Sequence, residues 1–257
     1  MSGFFESLSS DVVTGILALP AGYYARAGVD KLRDRLRARD VINLFGLRTG
    51  PVTIVHSVIY DDRRNAYNFP SSDSRASRII AQLLDNANRQ EGRDFSIVPE
   101  SEVLIGGQVD PRIWQKNLVL LCGPKRNAAV AEALDKLPHD LSYTMSVDPI
   151  SDRNILSDRR RNHPLRSSLE DPELEATVTD RYDFGLILSA KDVIHPDATV
   201  TILAGIHGTG TLGCAIFLSE ARNIRELLRR RRSGIISEAV RVDYGEHTES
   251  IIGVKLV

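Results

Sequence analysis

Two stretches of this chain combine residue types that can hold or work on a charged ligand. They are "LLCGPKRN" (Leu120–Asn127) and "AGIHGTGT" (Ala204–Thr211). Each follows an apolar run and precedes a helical pattern, so each offers free backbone N–H groups at a helix start. Glycine lets the backbone approach a ligand oxygen closely. Thr209 and Thr211 add hydroxyls, and Lys125 and Arg126 add cations. Gly123, Lys125, Asn127, Gly205, Gly208, Thr209, Gly210 and Thr211 are therefore the candidate ligand-binding residues, and together they describe an anion cradle. His207 titrates near neutrality and can act as a general acid or base, with Asp183 or Asp110 as its carboxylate. Cys122 ends an apolar run, where a Cys/His nucleophile pair is conceivable and a small buried thiol is the simpler reading. Asn127 reads either as a helix cap or as a ligand reader.

The motifs discriminate only partly. The second turn lacks the Gly-Lys-Ser/Thr ending of a P-loop. Gly208, Gly210 and Gly213 match the G-x-G-x-x-G spacing of a dinucleotide turn, but no acidic residue closes a second βα unit about 20 residues on. Three readings stay open: nicotinamide binding, another phosphate- or ribose-bearing ligand, and a tight strand-to-helix corner with no ligand.

The elements that must position these turns are legible as periodicities. "VTIVHSVIY" (Val52–Tyr60) reads as a buried strand, and "SRASRIIAQLLDNANRQ" (Ser74–Gln90) as a helix capped by Ser72 or Asp73. "NLVLLCGPKRNAAVAEALDKL" (Asn117–Leu137) gives strand, turn and amphipathic helix. Further strands are expected near "DFSIVP", at Leu141–Val147, at Tyr182–Ala190 and at Thr199–Gly205, with helices at Thr211–Ser219 and Asn223–Arg232. Two alternating strands about Gly245 close the chain as a hairpin. The charged segment 151–180 has no sustained period and reads as a long loop or lid. Strands that are apolar throughout and alternate with helices predict an α/β fold. Its core is a Rossmann-like, open, mainly parallel sheet with helices on both faces, an N-terminal helical arm and a C-terminal β-hairpin.

The division expected is an arm over residues 1–50 and an α/β domain over 51–257. "VVTGILALPAGYYA" (Val12–Ala25) is shorter than the roughly 20 apolar residues of a spanning helix, and Pro20 interrupts it. It has no preceding basic residue, unlike a secretory signal. The following "RAGVDKLRDRLRARD" carries Val29, Leu32 and Leu36 on one helical stripe, with arginines and the acids Asp30, Asp34 and Asp40 around it. It reads either as a contact with an anionic membrane surface or as an arm packed on the domain or on a second copy. The net charge of -1 gives no basic field for nucleic acid, and the basic end of "RELLRRRRSG" has no aromatic residues beside it. Two cysteines in apolar settings fit a reduced cytoplasmic protein, peripheral at the inner membrane face if the arm meets lipid, and no metal site is expected.

"LVLLCGPKRN", "DRYDFGLIL" and "VTILAGIHGTGTLGCAIFL" together resemble an uncharacterised bacterial family of small α/β proteins. In that family Gly-Pro-x-x-Asn, Asp-Tyr and Gly-x-His-Gly-x-Gly-Thr segments recur in this order, after a short apolar-then-basic helix. The resemblance covers the C-terminal half and the N-terminal arm. It implies a shared ligand-site architecture without an activity, and Cys122 stands where a second small residue is expected. The leading expectation is a nucleotide- or phosphometabolite-binding protein acting as sensor or effector, with no cofactor named by the sequence. The alternatives are a hydrolase or glycosidase acting on a nucleotide in the same cleft, and an interaction protein working through its arm.

Overall fold

The computed structural model describes residues 34–61, 66–68, 70–88, 94–170, 181–245 and 250–257. Residues 1–33, with most of the expected arm, and 171–180, the end of the expected lid, lie outside them.

In chain order the strands are β1 (Val52–His56), β2 (Ile59–Asp61), β3 (Ala66–Asn68), β4 (Phe95–Pro99), β5 (Leu104–Ile105), β6 (Gln108–Val109), β7 (Asn117–Leu121), β8 (Tyr143–Val147), β9 (Asn154–Asp158), β10 (His163–Leu165), β11 (Arg181–Lys191), β12 (Thr199–Gly205), β13 (Ile235–Tyr244) and β14 (Ile251–Leu256). The helices are α1 (residues 34–45), α2 (Ser71–Asn88), α3 (Ala128–Asp135), α4 (Gly208–Ser219) and α5 (Ala221–Arg229).

Seven strands form the central sheet in the order β14-β13-β11-β12-β7-β1-β4. The pairs β4/β1, β1/β7 and β7/β12 are parallel, and β12/β11, β11/β13 and β13/β14 are antiparallel. Five strands therefore run one way and β11 and β14 the other, which makes the sheet mixed. The direction of β11 is invisible in its sequence. A strand buried on both faces reads as one apolar run whichever way it lies, and Asp183–Ala190 are buried throughout. The expected C-terminal hairpin is present as β13 and β14, with Val240 opposite Leu256.

Each face of the sheet has its own apolar layer. Ile54, Leu121, Ile187, Leu203 and Val240 pack under α1, α2, α4 and α5. Val55, Leu120, Leu186, Ile202 and Ala239 pack under α3 and the small sheet β8-β9-β10. Each Leu or Ile fully buried in these layers contributes about 1.5–3 kcal/mol relative to exposure.

The described part of the N-terminal arm belongs to this core. Val41, Leu44 and Phe45 of α1 are buried, whereas Leu36, placed by sequence on the apolar stripe, is 42% exposed. The helix ends at Gly46, whose φ of +75° allows Leu47 N–H to return to Ile42 O. Asn117 then ties that turn to the sheet, donating to Gly46 O and accepting from Thr199 N–H. Arg225 pairs with Asp40, and Arg231 donates to Asn43 O, so part of the basic run is bound to α1.

Where the sequence reads as an irregular lid, residues 154–165 form ordered antiparallel strands, with β9 paired to both β8 and β10. Only Leu156 and Asp158 of β9 are buried. Asp158 is masked as a strand residue by its charge, which the N–H groups of Arg160 and Arg161 offset. A single apolar inward position leaves no period to detect. Among the described residues no helix is long and apolar enough to cross a membrane.

Candidate functional site

The chain leaves β1 through α2 on one face of the sheet and leaves β7 through α3 on the other. Connections that depart to opposite faces open a crevice beyond the carboxyl ends of the strands. The cleft lies there, with a volume of about 380 Å³. Its walls are the turn after β7 (Cys122, Lys125, Arg126), the turn after β12 (Gly205–Gly208) and the start of α2 (Pro70, Ser72, Asp73). The turn into β9 (Asp152, Arg153, Asn154), together with Leu169 and Thr211, completes them.

The second glycine turn is shorter than its sequence suggests. α4 starts at Gly208, so Gly208, Thr209 and Gly210 form its first turn and Thr211 continues it. Asp183, fully buried on β11, holds this turn from below. Its Oδ2 accepts the N–H groups of Gly210 at 2.7 Å and His207 at 3.2 Å, and its Oδ1 accepts Phe184 N–H at 2.8 Å. Burial pushes its carboxyl up to about 7, against these three donors, which favour the anion. Asp183 lies under the cleft wall with both oxygens spent, so its place is that of an anchor for the turn. Thr211 Oγ1 closes the corner by accepting Gly205 N–H.

Close packing accounts for the glycines. A Cβ at Gly210 would overlap Phe184 O, one at Gly205 would overlap His207 O, and one at Gly208 would overlap Ser72 Oγ. The third glycine of the dinucleotide-like spacing, Gly213, faces Val242 of β13 rather than the cleft.

Asn154 joins the two turns. Its Oδ1 accepts Lys125 N–H at 3.2 Å, and its Nδ2 donates to Gly205 O at 3.2 Å and Ile206 O at 3.4 Å. A Cβ at Gly123 would overlap this amide. Lys125 Nζ is committed to Asp152. Asn127 is the buried N-cap of α3, accepting Ala129 and Val130 N–H and donating to Leu121 O. Of the residues expected from sequence, Lys125, Gly205, His207, Gly208 and Thr211 line the cleft. Gly123, Asn127, Asp183, Thr209 and Gly210 stand behind its wall. Asp110 caps the turn at Pro111–Gln115 and pairs with Arg112, away from the cleft.

His207 Nε2 lies 3.8 Å from Glu170 Oε1, and neither atom has a hydrogen-bond partner among the described residues. Burial lowers the His207 pKa; Glu170 opposes that shift and Arg153 adds to it. Cys122 sits at a φ of +84° with its thiol buried. Burial and the neighbouring Asp73 push that thiol up to about 12, which leaves it protonated and a poor nucleophile.

Several cleft residues carried no sequence signal. Asp73 reads as a helix cap, yet its Oδ2 accepts Ser57 Oγ–H at 2.7 Å across the gap to β1. Arg153 and Asn154 fall in the charged segment, where nothing singles them out, and so does Glu170, which meets His207 from outside the cleft lining. Arg126 and Arg153 are exposed at the rim and have no ion-pair partner among the described residues. Among those residues no group of three His, Cys, Asp or Glu side chains is placed to hold a metal ion. Comparison with protein-family models, with curated proteins and with solved structures finds no match. Assignment of the cleft therefore rests on its own geometry.

Proposed function

We propose that the cleft binds a small phosphate- or ribose-bearing ligand, a nucleotide or phosphometabolite, and that the protein acts as a sensor or effector of it. One observation carries this reading: Gly208, the first residue of α4, lines the cleft together with two guanidiniums, Arg126 and Arg153, that form no ion pair among the described residues. Gly208 and Thr209 N–H likewise have no acceptor there. A helix N-terminus beside uncompensated cations stabilises an anion through directed hydrogen bonds and the helix dipole together. The volume of about 380 Å³ suits a ligand of that size.

Thermal unfolding against inorganic phosphate and a nucleotide panel tests it. A ligand at 100 times its Kd adds about 2.7 kcal/mol of stability. The double variant Arg126→Ala/Arg153→Ala is expected to lose the shift and remain folded, since neither guanidinium holds the fold together. A full shift in that variant would sink the proposal. Gly208→Val is a poor control, because its side chain would displace Ser72, itself part of the cleft wall.

The His207–Glu170 pair favours a second reading, a hydrolase or glycosidase acting on a nucleotide in the same cleft. His207 would be the acid/base and Glu170, rather than Asp183, its carboxylate. A nucleotide that binds should then turn over, and His207→Ala should abolish turnover while sparing the thermal shift. Binding without turnover in the wild type decides for the sensor.

A further inference from the structure

The cleft has a floor of opposite chemical character from its rim. Asp73 is 2% exposed and burial raises its pKa; among the described residues its Oδ1 has no hydrogen-bond partner, while Oδ2 is held by Ser57. A buried carboxylate oxygen left unpaired is a standing cost to the fold. That cost is relieved by a ligand that brings a donor. The side chain belongs to the cleft lining, together with Cys122, Arg126 and Gly208. A phosphate group cannot rest on this floor, because its charge would meet the carboxylate. A cationic amine is also disfavoured there, since the Arg126 guanidinium already places positive charge near Asp73 and the N-terminus of α2 adds its dipole. A neutral hydroxyl meets neither objection.

We infer that Asp73 is a hydroxyl-reading subsite, so that the ligand is a sugar phosphate, alone or as part of a nucleotide, with its hydroxyls on Asp73 and its phosphate between Arg126, Arg153 and the start of α4. This rests on the anion-binding reading above and adds the class of ligand to it. The phosphate end gives attraction and the Asp73 end gives selection. A carboxylate rejects a ligand lacking the donor because its own oxygen then stays unpaired.

Calorimetric titration of the full chain with ribose 5-phosphate, propyl phosphate and inorganic phosphate tests it. The wild type is expected to bind ribose 5-phosphate about tenfold or more tightly than propyl phosphate, the scale of one charge-assisted hydrogen bond. Asp73→Asn should erase most of that preference while keeping affinity for propyl phosphate. Equal affinity for the two esters in the wild type, or a preference unchanged in Asp73→Asn, overturns the subsite and leaves the anion site standing. Failure of all three probes to bind overturns both. If Asp73→Asn does not fold, the wild-type comparison of the two esters still decides, because the esters differ in the hydroxyls.

Discussion

Asp183 shows how one buried carboxyl can position a loop without meeting a ligand. Two of its contacts fix the N–H groups of His207 and Gly210, and with them the direction in which α4 leaves β12. Removing one carboxylate oxygen leaves a buried N–H without its acceptor, at a cost of about 1–3 kcal/mol. Asp183→Asn should therefore lower the urea midpoint with an unchanged slope. Its pH dependence has a definite sign. The unfolded carboxyl titrates near 3.8 and the folded one at about 7. The fold thus favours the protonated form. The stability it contributes is complete below 3.8 and is lost as pH rises through about 7. In Asp183→Asn that decline between the two values should vanish. A variant with the wild-type pH profile would place the titration elsewhere. Little of this was legible beforehand: in the sequence Asp183 reads either as a cleft carboxylate or as a residue that flanks a strand and caps a loop, and only the fold puts it beneath the turn.

At the scale of elements, two turns from distant parts of the chain are held in register by the first residue of the middle strand of a small sheet. Asn154, at the start of β9, bonds the turn after β7 and the turn after β12 at once. Asn154→Ala should separate them. The expected result is a loss of about 1 kcal/mol in stability, measured by chemical unfolding, together with a weaker thermal shift on phosphate. Unchanged phosphate binding would show that the turns hold their places without this amide. The parallel strands and α2, α3 and α4 were legible in outline, since β-branched runs and helical periods survive in the sequence. β9 and β10 were not, because their inward positions are mostly polar and satisfied by hydrogen bonds. The start of α4 was also displaced, since glycine and threonine are poor helix formers and the first turn forms only through Asp183 and the sheet.

For the whole molecule, the two apolar layers share the same strands, so neither can be lost while the other persists. Trp114, the chain's one tryptophan, is 5% exposed in the layer under α3, and its Nε1 donates to Glu132 at 3.1 Å. Its fluorescence reports that face alone, whereas far-UV circular dichroism reports the helices of the opposite face as well. The two denaturation curves should coincide. A separate earlier transition in fluorescence would show that the α3 face unfolds as its own unit.

The sequence by itself determined the periodicities of the central strands and their helices, that two glycine turns end apolar strands, and that the composition is that of a folded α/β chain. Local patterns suffice for these, because burial imposes a period of 2 or 3.6 residues on each element separately. Only the tertiary structure decided the direction of β11, the order of the strands, and which polar residues meet. Ser57 with Asp73, His207 with Glu170, and Asn154 with both turns are contacts between elements, and their energies depend on burial and distance that no local pattern encodes. The candidate site is of that kind. Its glycines and Arg126 were visible in the sequence, and its acid, its staple and its second cation, Arg153, emerged when the sheet placed β1, β7 and β12 side by side.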